Sequence, residues 1–350
     1  MGSLLGGGLR EKSERKGQRD RAFLLWLRFT LFRSNGSNQI KLFLGFLLLL
    51  AMILLTSRAT SLMGWSHANQ EPRLPATRSR YTVVINTWKR NDLLKQSVEH
   101  YASCPSVEGI RVVWSETDSP PEFLRSTLMR GAHSNSRREV DLKFDIYDED
   151  DLNNRFKPVD GLQTDAIFSI DDDVVVPCPT LEFAFRIWIS APDTMVGFVP
   201  RMHWVNFKQE NLKPILSTRD TEQFSYSYGG WWSVWWMGTY SMILTKAAFF
   251  HRKYLELYTY GMPASIRSFV KSQRNCEDIA MSFLVANSTF APPIWVKGRI
   301  QDLGSSGISS QQGHKQHRTH CINYFASLFG YMPLISSHVK AVDAQYEWFW

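Results

Sequence analysis

Two hydrophobic patterns divide this chain. Leu42–Leu55 (LFLGFLLLLAMILL) carries no polar side chain, whereas from Tyr81 onward short β-rich runs alternate with stretches of helical spacing. Tyr81–Thr87 (YTVVINT) is rich in branched residues and predicts a strand; Leu93–Tyr101 after it has apolar residues near helical spacing. Ile110–Trp114 predicts a second strand, Glu122–Arg130 a second helix, and the alternation in Val140–Tyr147 a third strand. An acidic turn, Asp148–Asp151, and the segment Asn153–Arg155 lead to Ala166–Ile170. That run is largely apolar and too short for a helix, as expected of a buried strand in a parallel sheet. Thr180–Ser190 then returns to helical spacing. The βαβαβ rhythm predicts an α/β fold with a mostly parallel sheet and a nucleotide-binding half. Residues 81–350, about 270 in all, suffice for one large domain or two lobes sharing a core. Neither the GxGxxG pattern nor a P-loop pattern occurs, which excludes the standard dinucleotide and P-loop sites.

The N-terminal run is marginal as a membrane span, because crossing takes ~20 apolar residues. Ile40, Thr56 and Ser57 extend it, Lys41 can snorkel, and Ser57-Arg58-Ala59 makes a poor cleavage site. Residues 1–41 hold nine Lys/Arg against three acids, a bias that keeps this end in the cytosol. The apolar stretch Ala22–Phe32, interrupted by Arg28, is expected to lie at the interface rather than to cross. The pattern predicts a single-pass type II protein with everything after about residue 60 in a lumen of the secretory pathway. Its parts are a basic tail (1–39), a signal anchor (40–57), a stem (58–80) and a lumenal domain (81–350).

Charge then changes the picture of partners. The whole chain carries +7, of which the first 41 residues hold +6 and residues 42–80 hold +3, leaving −2 for 81–350. A nucleic-acid partner is excluded, since the basic excess lies outside the folded part. Four cysteines, Cys104, Cys178, Cys276 and Cys321, allow two bridges in an oxidising lumen without fixing their pairing. No CxxC spacing exists to suggest structural zinc. Asn287-Ser288-Thr289 is a glycosylation sequon on the lumenal side; Asn35-Gly36-Ser37 falls on the cytosolic side.

Three features carry candidate chemistry. Asp171, Asp172 and Asp173 follow Ala166–Ile170 directly, at the carboxyl edge of the predicted sheet, where open α/β folds bind ligands. Three adjoining carboxylates repel one another, and hard oxygens suit Mg²⁺ or Mn²⁺, whose shells substrate phosphates commonly complete. The plainer reading is an acidic surface turn. In Tyr226–Trp236 (YSYGGWWSVWW) most of the rings are expected to fill a core or close a loop, with one or two reaching the cleft to stack on sugar. Cys276–Ala286 predicts a helix with one apolar face through residues 279, 280, 283 and 284, and Glu277 and Asp278 stand in its first turn. The helix dipole alone accounts for acids there; the functional reading is a carboxylate facing a reacting sugar.

Five segments in order resemble the exostosin-like glycosyltransferases, glycosyltransferase family 64. They are Thr87–Leu94, Asn154–Phe156, Phe168–Asp173, Asn275–Met281 and Arg318–Asn323, the last followed by Gly330–Leu334. The likeness covers Tyr81 to Leu334 and runs to the plant branch that mannosylates glycosyl inositol phosphorylceramides. It implies a GT-A type fold, a Rossmann-like half merged with an acceptor half. Asp173 would bind Mn²⁺, with Asp171 and Asp172 near the nucleotide or metal. Arg90 and Arg155 match donor-binding arginines, Arg318 an arginine reaching the diphosphate, and Asp278 the acid beside the anomeric carbon. Cys276 and Cys321 match a family disulfide, whereas Cys104 and Cys178 have no counterpart. Ser115 and Glu277 depart from the family pattern. The first concerns base choice, so the resemblance favours GDP-mannose as donor and a glycolipid acceptor. The alternatives are a UDP-N-acetylhexosamine donor, or an inactive lumenal lectin or scaffold. Anomeric configuration would be retained by a same-face mechanism, with a covalent intermediate on Asp278 as the competing route. His314, His317 and His320 are expected on a mobile loop over the donor rather than as metal ligands.

Overall fold

A computed structural model describes residues 38–62, 75–135, 140–206, 225–304 and 313–344, in two compact units, 1–73 and 74–350. Among the described residues the first unit contributes helix α1 (Asn38–Leu62), of 25 residues, whose side chains at 40–56 are all exposed. Among the described residues no helix is long and apolar enough to cross a membrane. The helix itself, at ~37 Å, is long enough; its unbroken apolar run is not. At about 1.5 Å per residue the unbroken run Leu42–Leu55 provides only ~21 Å of hydrocarbon against the ~30 Å of a bilayer core. The anchor expected at 40–57 is thus not shown, and residues 1–37 of the basic tail, with the stretch Ala22–Phe32, lie outside the described residues.

In the second unit the strand alternation does its work on both faces of one sheet. Along β1 (Tyr81–Thr87), Tyr81, Val83 and Ile85 enter one core while Val84 enters another. The chain continues through α2 (Asn91–Ala102), β2 (Val107–Trp114), α3 (Glu122–Asn135), β3 (Asp141–Ile146) and a 3₁₀ turn, Leu152–Phe156. Then come β4 (Ala166–Asp171), β5 (Val174–Val175), α4 (Cys178–Ser190), β6 (Val196–Gly197), β7 (Pro200–Val205) and β8 (Tyr226–Gly229). The last stretch holds α5 (Trp231–Met237), β9 (Met242–Ile243), β10 (Ala247–His251), α6 (Lys253–Glu256), α7 (Ala264–Gln273), α8 (Glu277–Thr289), β11 (Ile294–Val296), β12 (Gln301–Asp302), α9 (His314–Phe329) and β13 (Lys340–Ala341).

Eight strands form the main sheet in the order β13-β11-β6-β10-β4-β1-β2-β3. The β4-β1-β2-β3 portion is parallel throughout, as the βαβαβ rhythm predicted, and β10 pairs antiparallel to both β4 and β6. Register brings Asn86 of β1 opposite Asp171 of β4, and Thr87 opposite Trp114 of β2. The carboxyl ends of three central strands therefore open at one edge. On one face α2, α3 and α4 cover Ile110, Val112, Phe168 and Phe249; on the other, α7, α8 and α9 cover Val113, Ile167 and Phe250. Disulfides join Cys104 to Cys178 and Cys276 to Cys321.

Three local expectations are corrected. Helix α8 has no single apolar face: Asp278 through Ala286 are all buried, because the helix is sandwiched between the sheet and its neighbours. The tryptophans of 231–236 do not fill a core; they stand on α5, where only Val234 is buried. His314, His317 and His320 lie in the first two turns of α9, which starts after Gly313 in the left-handed region (φ 81°), rather than on a loop.

Candidate functional site

The acidic triplet sits where β4 ends. Asp172 is fully buried: its Oδ2 accepts from the Thr87 hydroxyl at 2.7 Å, and its Oδ1 meets Arg90 Nη2 at 2.5 Å. Burial pushes its carboxyl up to about 6, against the pull of Thr87 and Arg90 toward ionisation. Asp172 therefore braces the strand end from inside instead of facing a ligand. Asp171 and Asp173 keep partial exposure. Arg90 Nη1 also holds Asp173 Oδ2 at 2.6 Å, and Arg155 Nη1 holds Asp171 Oδ1 at 2.9 Å. The carboxylate repulsion that pointed to a metal is here relieved by two guanidinium groups. The backbone closes tightly beside the triplet. Leu303 donates to the Asp173 carbonyl at 2.6 Å, and a Cβ at Gly304 would stand 2.4 Å from Asp173 Oδ2.

Arg155 ties this edge to the start of α8. Its guanidinium is buried, donates through Nη2 to Ser169 Oγ (2.9 Å) and the Thr245 carbonyl (3.1 Å), and lies 3.6 Å from Glu277 Oε1. Glu277 is pushed up to about 7 by burial and by the neighbouring Asp278 charge, which outweigh Arg155 and Arg318. A raised acid pKa means folding favours the protonated form. Its stability contribution is full below the ordinary glutamate range and is lost as pH rises through about 7. Glu277→Gln should thus gain on the wild type by up to about 3 kcal/mol between pH 5 and pH 8, read as the difference between their urea unfolding curves. A difference that stays flat across that range would contradict the assignment.

Asp278 begins α8 beside Glu277. Its Oδ2 pairs with Arg318 Nη2 at 2.9 Å and its Oδ1 accepts from the Ile279 amide at 2.7 Å. Arg318, buried on α9, donates through Nη1 to the Tyr228 hydroxyl at 3.2 Å, and Arg201 Nε reaches the same oxygen at 2.9 Å. Two strained residues lead into the site. Lys89 (φ 54°) precedes Arg90, and Cys276 (φ 74°) precedes Glu277, its amide donating to Asn275 Oδ1 at 2.8 Å. Such non-glycine positions cost about 1–3 kcal/mol each and cluster where side chains must be aimed. The Cys276–Cys321 bridge fastens the α8 start to α9 three residues beyond Arg318. Nearby, Asn154 Nδ2 donates to Ser115 Oγ at 3.1 Å, while Asn154 Oδ1, Arg155 Nε and Arg318 Nε are buried with no protein partner.

Thus Arg90, Arg155, Asp171, Asp172 and Asp173 gather at one sheet edge, and Asp278 and Arg318 join them through Arg155 and Glu277. Asn287 lies apart, near the end of α8, accepting from the Tyr331 hydroxyl at 2.5 Å. Sequence reasoning missed Arg201 and the acceptor role of Tyr228, whose meeting depends on the pairing of β7 with β8, and the bond of Ser169 on β4 to Arg155. The two His/Cys groups among the described residues, His100–Cys104–Cys178 and Cys276–His317–Cys321, have their sulfurs in disulfides.

Comparison with known proteins gives this constellation its class. Residues 81–347 match the glycosyl transferase family 64 domain, and the chain belongs to that family; it is an enzyme, a hexosyltransferase. Among its relatives is glycosylinositol phosphorylceramide mannosyl transferase 1 of Arabidopsis thaliana, 53% identical over 305 residues, or 86% of this chain and 88% of that one. Human Exostosin-2 is 34% identical over 75% of this chain, which spans only 34% of that longer protein. Mouse Exostosin-like 2 is 32% identical over 74% of this chain and 75% of its own length. A solved structure, the mannosyltransferase PcManGT of Pyrobaculum calidifontis in complex with GDP-Man and Mn2+, has a TM-score of 0.43 at 16% identity, covering 79% of this chain and 71% of that one.

Proposed function

We propose that this enzyme transfers mannose, with retention, from GDP-mannose to the glycan headgroup of glycosyl inositol phosphorylceramides. The 53% identity, over 86% of this chain, with a plant protein named a glycosylinositol phosphorylceramide mannosyl transferase supports the sugar and the acceptor. Within the structure one observation carries the reading: Arg155 bridges the acids of β4 and the carboxylates that open α8. A diphosphate and its sugar can then be gripped at the same site. The fold we assign is the GT-A type, with β1–β4 as the nucleotide half.

Mn²⁺ fits the residues present. Asp171 and Asp173 offer hard oxygens, both partly exposed, and no side chain at Gly304 crowds Asp173. These two residues would hold the ion, which when bound neutralises charge on a departing nucleotide diphosphate. The protein's own groups do the rest. Arg90, Arg155 and Arg318 bind phosphate oxygens, for which fixed guanidinium forks are suited, and the unpartnered Nε atoms of Arg155 and Arg318 are donors still to be used. Asp278, oriented by Arg318, stabilises positive charge at the sugar carbon while the leaving diphosphate receives the acceptor hydroxyl's proton. Ser115 and Asn154 line the nucleoside side. Incubating the purified chain with Mn²⁺ and a panel of sugar nucleotides tests this reading. GDP should be released from GDP-mannose; turnover of a UDP-N-acetylhexosamine instead would overturn it.

We also propose a type II arrangement at the Golgi membrane, with α1 as anchor. Ile40, Thr56 and Ser57 lengthen its apolar run, and Lys41 snorkels to the headgroups. Asn287 then faces the lumen and should carry a glycan. Glycosidase treatment is expected to shift the band of the wild type and not that of Asn287→Gln; a wild-type band that does not move would count against the topology.

A further inference from the structure

Helix α5 presents four tryptophans outward: Trp231 is 45% exposed, Trp232 76%, Trp235 63% and Trp236 79%. The arrangement is firmly held. A Cβ at Gly229 would come within 2.5 Å of Met202, 2.7 Å of Trp204 and 2.8 Å of Ser233, so only glycine lets the first turn of α5 seat against β7. Gly238, at φ 67°, closes the helix by donating to the Val234 carbonyl at 2.9 Å. The rings form a continuous surface, with Trp232 and Trp236 each against Trp235 (6.0 and 6.3 Å between centroids) and Trp231 edge-on to Trp295 at 5.8 Å. Exposed Met237 ends the same helix.

The chemistry of this patch selects its occupant. Indole joins a broad apolar face to an N–H donor and concentrates where headgroups meet acyl chains. A seven-residue helix, about 10 Å long, can lie in that zone but cannot cross it. Cations rim the surface: Lys340 Nζ stands 5.3 Å over the Trp295 ring and Lys315 Nζ 5.7 Å over Trp204. No Asp or Glu occurs from Tyr226 through Leu255, so nothing acidic on this stretch opposes lipid phosphates. The patch also adjoins the reaction centre, because β8, which leads directly into α5, carries the Tyr228 hydroxyl bonded to Arg318.

We propose that the tryptophan face of α5 docks on the bilayer surface, so that a lipid-borne acceptor meets the Asp278–Arg318 site without leaving its membrane. This deepens the glycolipid reading and rests on it for the acceptor. The test uses the full chain reconstituted in phosphatidylcholine–phosphatidylinositol vesicles whose acyl chains are brominated near the glycerol end. Trp232→Ser, Trp235→Ser and Trp236→Ser combined should remove quenchable emission worth about three of the thirteen tryptophans. Nucleotide diphosphate release in the variant should match the wild type, which establishes that it is folded. Transfer to a vesicle-borne acceptor should fall, while transfer to the same headgroup cleaved from its lipid should not. Equal bromine quenching in both proteins would overturn the proposal. So would unchanged quenching together with conversion of a dimer to a monomer, which would make the patch a contact between two copies. Lost quenching without mannosyl transfer by either protein would support the docking face and overturn the mannosyl reading.

Discussion

Asp278→Asn is expected to lower sugar transfer by on the order of a hundred- to a thousandfold while donor affinity changes little. Asparagine keeps the shape but offers one acceptor: its Oδ1 can keep the Ile279 amide, and its Nδ2 then faces Arg318 Nη2 donor to donor. What disappears is the negative charge that the proposal places beside the sugar carbon. Stability should fall as well, because Arg318 is buried and loses its carboxylate; breaking such a pair costs about 3–5 kcal/mol. The Tyr228 hydroxyl, still 3.2 Å from Arg318 Nη1, softens that cost. Single-turnover transfer and donor titration on the same preparation separate the two effects. Transfer near the wild-type rate would reject the role of Asp278.

Replacing Cys276 and Cys321 by serine should reduce stability by about 4 kcal/mol, the loop-closure entropy of a bridge spanning 45 residues. Replacing Cys104 and Cys178, which are 74 residues apart, should cost a similar amount on the same reasoning. Activity should distinguish the two. The first bridge fixes Cys276 at φ 74° immediately before Glu277 and Asp278 and ties them to the helix bearing Arg318. The second joins the end of α2 to the start of α4 on the opposite face. At a temperature where both variants remain folded, only the first should lose transfer. Equal activity in the two would show that the bridge merely holds the fold.

The central strands were legible because each is buried on both faces or alternates cleanly, and β1, β2, β3 and β4 appear where the branched runs stand. Two-residue strands such as β6 and β9 were not, since their pairing partners, and not their own residues, create them. The acidic triplet was legible as a cluster but not in its division of labour. Only the fold reveals that Asp172 turns inward to Thr87 while Asp171 and Asp173 stay partly open. The tryptophan run misled, because an aromatic density that normally marks a core is here carried on a helix with one buried residue, Val234. The polar segment from His314 read as a loop because its helix is fixed by Cys321, Ile322 and Phe325 beneath it and not by an apolar stripe in its first turns. Cys104 and Cys178 lacked any signal in the chain, their meeting being set by the packing of α2 against β5 and α4.

Calorimetric titration of GDP-mannose into the wild type and into Asp173→Asn, with Mn²⁺ and then with a chelator, reaches the heart of the proposal. Donor affinity should fall by at least about a hundredfold, or about 3 kcal/mol, when either the ion or the Asp173 charge is removed. Removing both should cost little more than removing one. Tight donor binding that survives the chelator, or that is indifferent to Asp173, would contradict the proposed metal-assisted grip at the edge of β4.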